Sequence, residues 1–366
     1  MIFTVERSQL GEAVSKLSRI VSSKTSYPVL EGILLSAEQG KVTLIAYNLE
    51  MSIKKVIYAR TEEDGDIVIS AKLLSEIIHR MNQPMIEIVA DEKLMCHIRC
   101  GSAVFDIMGM SAQDFPELPS FVDGQPLSLK GSDLMEMTAG TAFAVAQMEG
   151  TRPILMGINI SVKNGILKFV ALDGCRVAIK KMPCENADEM NFVLSAKSLN
   201  EVIRLIGDKD AVIPILVGYN MISFEVDGYT LISRLMEGEY LNYEKFIPKE
   251  YKQRLVLKVG DLIDIIDRIS LIINEAFSTP IRCTIKEENI IFSCVTSLGR
   301  ATETYEADLE GEPFEIGLSP RYLSEALRAI DDDMIQMTFD HSNQGVVIRP
   351  LSGDDYFHMI LPMLLK

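Results

Sequence analysis

The sequence predicts an α+β protein made of three repeated units, each with two helices packed on antiparallel sheet. Three observations carry that expectation. A helix opening recurs, as ISAKLLSEIIHRM from Ile69, LSAKSLNEVIRLI from Leu194 and LSPRYLSEALRAI from Leu318. The interval is nearly constant, 125 residues from Lys72 to Lys197 and 124 from Lys197 to Arg321, so that three units of about 122 residues fill the 366-residue chain. Alternating runs with hairpin signals surround each copy.

Each unit opens on a helical stripe. Leu10, Val14, Leu17 and Val21 recur at 4, 3 and 4 residues, one face of a helix. Their counterparts are Leu134, Thr138, Thr141 and Val145, which are less apolar, and Leu262, Ile266, Ile269 and Ile273. A strand-rich segment follows. At an offset of 125, Gly32 falls on Gly157, Gly40 on Gly165 and Ala46 on Ala171. Gln39-Gly40 and Asn164-Gly165 sit between alternating runs, as hairpin turns do, and the third copy turns at Glu288-Asn289. Next come the recurring helix and further strands such as MIEIVADEKLMCHIRC and MIQMTFDHSNQGVVIRP. Two helices per unit can cover one face of a sheet. The loop-like joins QDFPELPSFVDGQP (113–126) and EYLNYEKFIPKEYKQ (239–253) set the expected units at 1–125, 126–250 and 251–366.

Ser70, Ser195 and Ser319 are placed to cap the recurring helix, and Pro320 suits a first helical position. Lys72, Lys197 and Arg321 then stand in the first turn. A cation there opposes the helix dipole by roughly 0.3–1 kcal/mol. Three such cations point to an external anion, or else to surface pairs with Glu76, Glu201 and Glu325 at i+4, the weaker order for such a pair.

The formal charge is −16, from 36 cations and 52 anions. That argues against nucleic acid as a partner of the whole surface but leaves room for a local basic face. The opening MIFTVERSQL lacks the apolar core of a signal peptide, and no run approaches the roughly 18 apolar residues of a membrane span. A cytoplasmic protein with reduced thiols and no membrane contact is expected. No cofactor or metal is expected either. His79, His97, His341 and His358 form no ligand spacing, Cys96 and Cys100 share a strand face opposite His97, and no P-loop occurs. Asp173, Cys175 and Arg176 lie close together but have no histidine nearby in sequence, so no enzyme is expected.

With its three-unit plan, the chain resembles the bacterial sliding clamp family, the beta subunit of DNA polymerase III. MIFTVERSQL is similar to the family's start and QDFPELP to its first join. LDGCRVA at 172–178 resembles T-D-G-H-R-L-A, and MILPMLLK resembles the terminal V-x-M-P-M-R-L. The resemblance covers the whole chain. It implies a ring of two subunits joined head to tail, with helices lining the hole around double-stranded DNA. It also implies docking of the replicative polymerase, the clamp loader and repair proteins. DNA-side candidates by similarity are Lys24, Lys72, Arg152 and Lys197; Arg321 follows from the internal repeat. Asp133, Glu136, Asp261 and Asp264 fall on or near the first helices and temper the basic lining.

The resemblance also implies an apolar peptide pocket. It would be formed by Leu155, Leu172, Gly174, Cys175, Arg176 and Val177, by Leu241 and Phe246, and by Met359, Leu361, Pro362 and Met363. Leu172, Cys175 and Leu241 stand where the family commonly has Thr, His and Pro. The apolar tail LPMLLK fits either docking or packing against a sheet. Phe105 and Ile107, with Leu271 and Ile272, match the family's subunit interface, although all four could be internal core. A repeat scaffold that binds peptides and not DNA is the alternative function.

Overall fold

The computed structural model describes residues 1–22, 26–119, 121, 123–147, 152–185, 188–248, 250–273, 279–340 and 345–365. One order of elements occurs three times, apart from a short extra strand, β5 in the first repeat and β22 in the third, that has no counterpart among the described residues of the second. The first repeat holds β1 (Ile2–Glu6), α1 (Arg7–Leu17), β2 (Gly32–Glu38), β3 (Lys41–Tyr47), β4 (Met51–Tyr58), β5 (Arg60–Glu63), β6 (Gly65–Ser70), α2 (Ala71–Arg80), β7 (Met85–Ala90), β8 (Met95–Cys100) and β9 (Ala103–Met108). The second holds β10 (Gln125–Lys130), α3 (Gly131–Ala139), β11 (Gly157–Lys163), β12 (Ile166–Leu172), β13 (Arg176–Pro183), β14 (Met190–Ser195), α4 (Ala196–Leu205), β15 (Val212–Val217), β16 (Met221–Val226) and β17 (Tyr229–Arg234). The third holds β18 (Gln253–Lys258), α5 (Val259–Ser270), β19 (Ile281–Ile285), β20 (Asn289–Thr296), β21 (Gly299–Glu306), β22 (Leu309–Glu310), β23 (Phe314–Leu318), α6 (Pro320–Arg328), β24 (Met334–Phe339), β25 (Val346–Pro350) and β26 (Tyr356–Ile360).

The chain divides into two compact units, Met1–Ser132 with Lys197–Leu235, and Asp133–Ala196 with Met236–Lys366. The first contains the sheets β5-β1-β7-β8-β9 and β10-β15-β16-β17-β4-β3-β2-β6. The second contains β14-β11-β12-β13-β26-β25-β24-β18-β22 and β21-β20-β19-β23. In each large sheet, strands of two consecutive repeats pair antiparallel, β17 on β4 and β26 on β13. The exposed amides and carbonyls of one repeat's edge are thereby satisfied by the next.

The helices are shorter than their stripes, and a strand, not a helix, opens each repeat. Val21, Val145 and Ile273 lie beyond the ends of α1, α3 and α5. The hydroxyls of Ser18 and Thr141 donate to carbonyls four residues back, at 2.6 and 2.8 Å, a competing bond that favours helix ends. The stripes are buried where they are helical: Leu10, Ala13, Val14 and Leu17 in α1, and Leu262, Ile265, Ile266 and Ile269 in α5. Ser319 caps α6, accepting from the Tyr322 amide at 3.3 Å. Ser70 makes no such bond at α2.

Both expected Gly turns have two left-handed residues, Gln39 (φ 48°) with Gly40 (φ 79°) and Asn164 (φ 52°) with Gly165 (φ 72°). That geometry matches the strand twist of a two-residue hairpin. The third copy turns one residue earlier than expected, and Asn289 already begins β20. Cys96, Cys100, Cys283 and Cys294 are buried, and burial pushes the Cys96 and Cys283 thiols up to about 12. His97 faces away from Cys96 and contacts Asp106 at 2.6 Å. His341 lies outside the described residues.

His358 on β26 is 1% exposed, and neither ring nitrogen has a hydrogen-bond partner. Its ring packs edge-on to Phe143 at 5.2 Å and beside Tyr356 at 5.5 Å. Burial lowers its pKa from 6.5 to about 4. The unfolded chain therefore takes up a proton that the folded chain refuses between those values. Stability should fall as pH drops from 6.5 toward 4, and His358→Phe should remove much of that slope in thermal melts.

Candidate functional site

The turn from β12 to β13 faces the segment 241–248 across a cavity of about 550 Å³ in the second unit. Nine of the expected pocket residues line it: Leu172, Gly174, Cys175, Arg176, Val177, Leu241, Phe246, Met359 and Leu361. Tyr243, Lys245, Ile247, Pro248 and Gly345 complete the wall. Four of these five come from the loop EYLNYEKFIPKEYKQ, whose aromatic and apolar content was the available signal. Phe246 and Leu361 are 60% and 40% exposed, large apolar groups left open to a ligand.

Three expected members do not line the cavity. Leu155 is buried in the core behind it, with Leu172, Val177 and Met359. Pro362 and Met363 run past it to β23, where the Met363 amide donates to the Gly317 carbonyl at 2.8 Å. The earlier repeats do the same. The Met110 amide donates to Val68 on β6 at 2.8 Å, and the Met236 amide donates to Val193 on β14 at 2.9 Å. Met363 is thus the third copy of a clasp that covers a sheet edge. Lys366 lies outside the described residues.

Arg176 lines the cavity and is held there by a network of its own. Its counterpart 125 residues earlier is Met51, an ordinary buried side chain. Arg176 is equally buried, at 3% exposure, but charged. Nε donates to Asp173 at 3.0 Å, Nη1 to Glu325 on α6 and Nη2 to the Phe143 carbonyl. The guanidinium also lies 4.3 Å from the Tyr322 ring centroid. Asp173 in turn accepts from the amides of Cys175 and Arg176 at 2.9 and 3.1 Å, which holds the turn through Gly174, at φ 93°. A buried cation needs this many partners to offset its desolvation. Arg176 therefore shapes the pocket floor and is largely withdrawn from a ligand, while Cys175 is exposed at the mouth.

The repeated cations are not equivalent. Lys72 and Lys197 are exposed and have no ion-pair partner among the described residues. Their i+4 glutamates are held elsewhere, Glu76 by Arg80 at 3.8 Å and Glu201 by Arg204 at 2.5 Å. Arg321 instead pairs with Glu325 at 2.7 Å, the i+4 pair that the sequence also allowed, and donates to Gln147 at 2.8 Å. Arg152 is exposed before the turn Pro153–Met156, and Lys24 lies outside the described residues. Of the acidic helix residues, Glu136 binds Lys180 at 2.7 Å and Asp261 binds Lys258 at 3.6 Å.

Of the four interface candidates, Ile272 packs against the core of the third repeat and the others are more open. Phe105 is 40% and Leu271 81% exposed, while Ile107 and Ile272 are half-buried. Val104 and Met108 on β9, Val295 on β20 and Leu298 in the turn after it are also exposed. Among the described residues, no cluster of histidine, cysteine or carboxylate could hold a metal, and no helix is long and apolar enough to cross a membrane.

Burial opposes ionisation of Glu325, but the bonds from Arg321 and Arg176 outweigh it and hold its carboxyl below the usual range. The stabilisation is present above the ordinary value of 4.5 and is lost as pH falls through the lowered one. Glu325→Gln should cost about 1–3 kcal/mol at neutral pH. In denaturant titrations the gap from the wild type should narrow steadily below pH 4.5.

Three family models match in order: the DNA polymerase III beta subunit N-terminal domain over residues 1–119, its central domain over 128–242 and its C-terminal domain over 244–364. A beta sliding clamp of Halalkalibacterium halodurans is 29% identical, over 99% of both chains. The structure of a Bacillus subtilis DNA polymerase sliding clamp superposes with a TM-score of 0.95 at 27% identity, covering all of both chains. A DNA polymerase III beta subunit structure from Eubacterium rectale gives 0.95 at 28%, again over all of both chains. Matched from end to end in domain order, the chain belongs to the DNA polymerase III beta subunit family, the beta sliding clamps.

Proposed function

We propose that two copies of this chain join head to tail into a ring around duplex DNA and tether the replicative polymerase for processive synthesis. The cavity beside Phe246 and Leu361 docks short peptides of the polymerase, clamp loader and repair proteins in the cytoplasm. The units are those the repeat suggests, 1–125, 126–250 and 251–366, and the exposed Phe105 and Leu271 sides meet across the subunit joint.

The observation that carries the reading is the repeat of Lys72 and Lys197. They stand at one helical position in consecutive repeats, exposed and free of their i+4 glutamates. Phosphates of B-DNA are regularly spaced and independent of sequence, so a repeated cation suits them. Lys24 and Arg152 join this set by family resemblance. Arg321, already engaged by Glu325, does not.

Loading onto nicked circular DNA with a clamp loader and ATP tests the function. Retention on circles that is lost on linearisation is expected. Equal retention on both forms would mean ordinary surface binding, and failure to load would favour a peptide-only scaffold. The lysines are tested separately. Each phosphate contact contributes about 0.9 to the slope of log affinity against log salt. Lys72→Glu with Lys197→Glu should flatten that slope while leaving peptide binding in the pocket unchanged.

A further inference from the structure

Consecutive repeats meet through one joint that is built twice within the chain. In the first unit, Lys55 on β4 stands opposite Tyr229 on β17; in the second, Lys180 on β13 stands opposite Tyr356 on β26. Each lysine lies over the ring facing it, 4.1 and 5.6 Å from the centroid, within the range of a cation–π attraction. Each joint also draws a glutamate from the repeat's first helix. Glu12 binds Lys16 at 2.9 Å, with Lys16 itself 4.7 Å from the Tyr229 ring centroid, and Glu136 binds Lys180 at 2.7 Å. At each joint a strand lysine also reaches the hairpin ahead of the tyrosine. Lys55 donates to the Asp227 carbonyl at 2.7 Å, and Lys181 pairs with Asp354.

The matching positions of the unused edges, β9 and β21, follow from register. Lys55 pairs across its hairpin with Leu44, Lys180 with Phe169, and Glu303 with Phe292, so Glu303 holds the lysine's place on β21. Tyr229, Tyr356 and Ala103 each precede by seven residues the methionine that clasps the next edge, so Ala103 holds the tyrosine's place on β9. The hairpin before it is Gly101-Ser102, without an aspartate. Glu303 is bound within its own chain by Arg268, at 2.5 and 3.0 Å. β9 and β21 end their sheets.

β9 and the partner's β21 are the edges left to meet between subunits, as β17 meets β4, and we propose that the missing lysine–tyrosine anchor is what makes that joint weaker than the two inside the chain. The inference rests on the dimeric clamp reading above. The two joints inside the chain are anchored and stay closed. In the same register Asp106 stands opposite Arg300, so the joint between subunits is left with apolar contact around Phe105 and Leu271, that one charge pair and a carboxylate already satisfied by Arg268.

Ala103→Tyr combined with Glu303→Lys rebuilds the anchor. Arg268 then takes the place of Lys16, and Asp264 that of Glu12. Exchange between dye-labelled and unlabelled dimers should slow at least tenfold, about 1.4 kcal/mol, and by more than the two single variants combined would give. Exchange at or above the wild-type rate would overturn the anchor. Wild-type protein that sediments as a monomer at micromolar concentration would overturn the clamp reading itself. As a control inside the chain, Lys180→Met should speed amide hydrogen exchange across Tyr356–Ile360 severalfold; unchanged protection there would also overturn the anchor.

Discussion

An edge strand presents a row of unpaired amides and carbonyls, and the architecture depends on how each edge is covered. Two solutions recur. One is the neighbouring repeat: β17 completes β4, and β26 completes β13. The other is the clasp that ends each repeat, in which Met110, Met236 and Met363 bond to β6, β14 and β23. Because the clasps are backbone bonds, they constrain where each repeat stops more than which side chain stands there. Pro362 fits this geometry, since the amide it lacks is not the one that bonds; that is Met363's.

Threefold reuse also explains which parts of the fold were legible in the sequence. The recurring helix and its apolar face survive copying in all three repeats, and the hairpin glycine survives in the first two. Gly40 and Gly165 both need a left-handed backbone, and both are visible as glycine at one offset. Pairing between repeats was not legible, because a strand that completes a neighbour alternates just as one that completes its own repeat. Helix ends were misjudged for a related reason. The stripe at Ile273 continues after the helix stops, since this residue of the following turn packs on the same core as α5.

Among candidate site residues, family positions located the cavity but not the job of each side chain. Nine of twelve line it, whereas Leu155 supports it from behind and Pro362 and Met363 belong to the clasp. Arg176 carries the most physical content. Replacing a methionine-like core position by arginine puts a full charge where Met51 buries a thioether. It is tolerated only because Asp173, Glu325 and the Phe143 carbonyl converge on it. None of the three is near it in a helical or strand pattern except Asp173, so the network was invisible in one dimension. The same network removes Arg321 from the free cations, because Glu325 serves both arginines.

That shared carboxylate bears on how an acidic chain holds a polyanion. A formal charge of −16 repels DNA at long range, but at physiological salt the repulsion is screened beyond about 8 Å. What remains is set by the few cations within reach of a phosphate. Had all three repeated cations been free, a closed dimer would carry a denser basic lining with a steeper salt dependence. On the proposed reading, with Arg321 engaged by Glu325, the first two repeats would supply the attraction at this position through Lys72 and Lys197. Such an uneven, sparse lining favours loose contact, and loose contact is what a ring needs if enclosure, and not affinity, is to keep it on DNA while it slides.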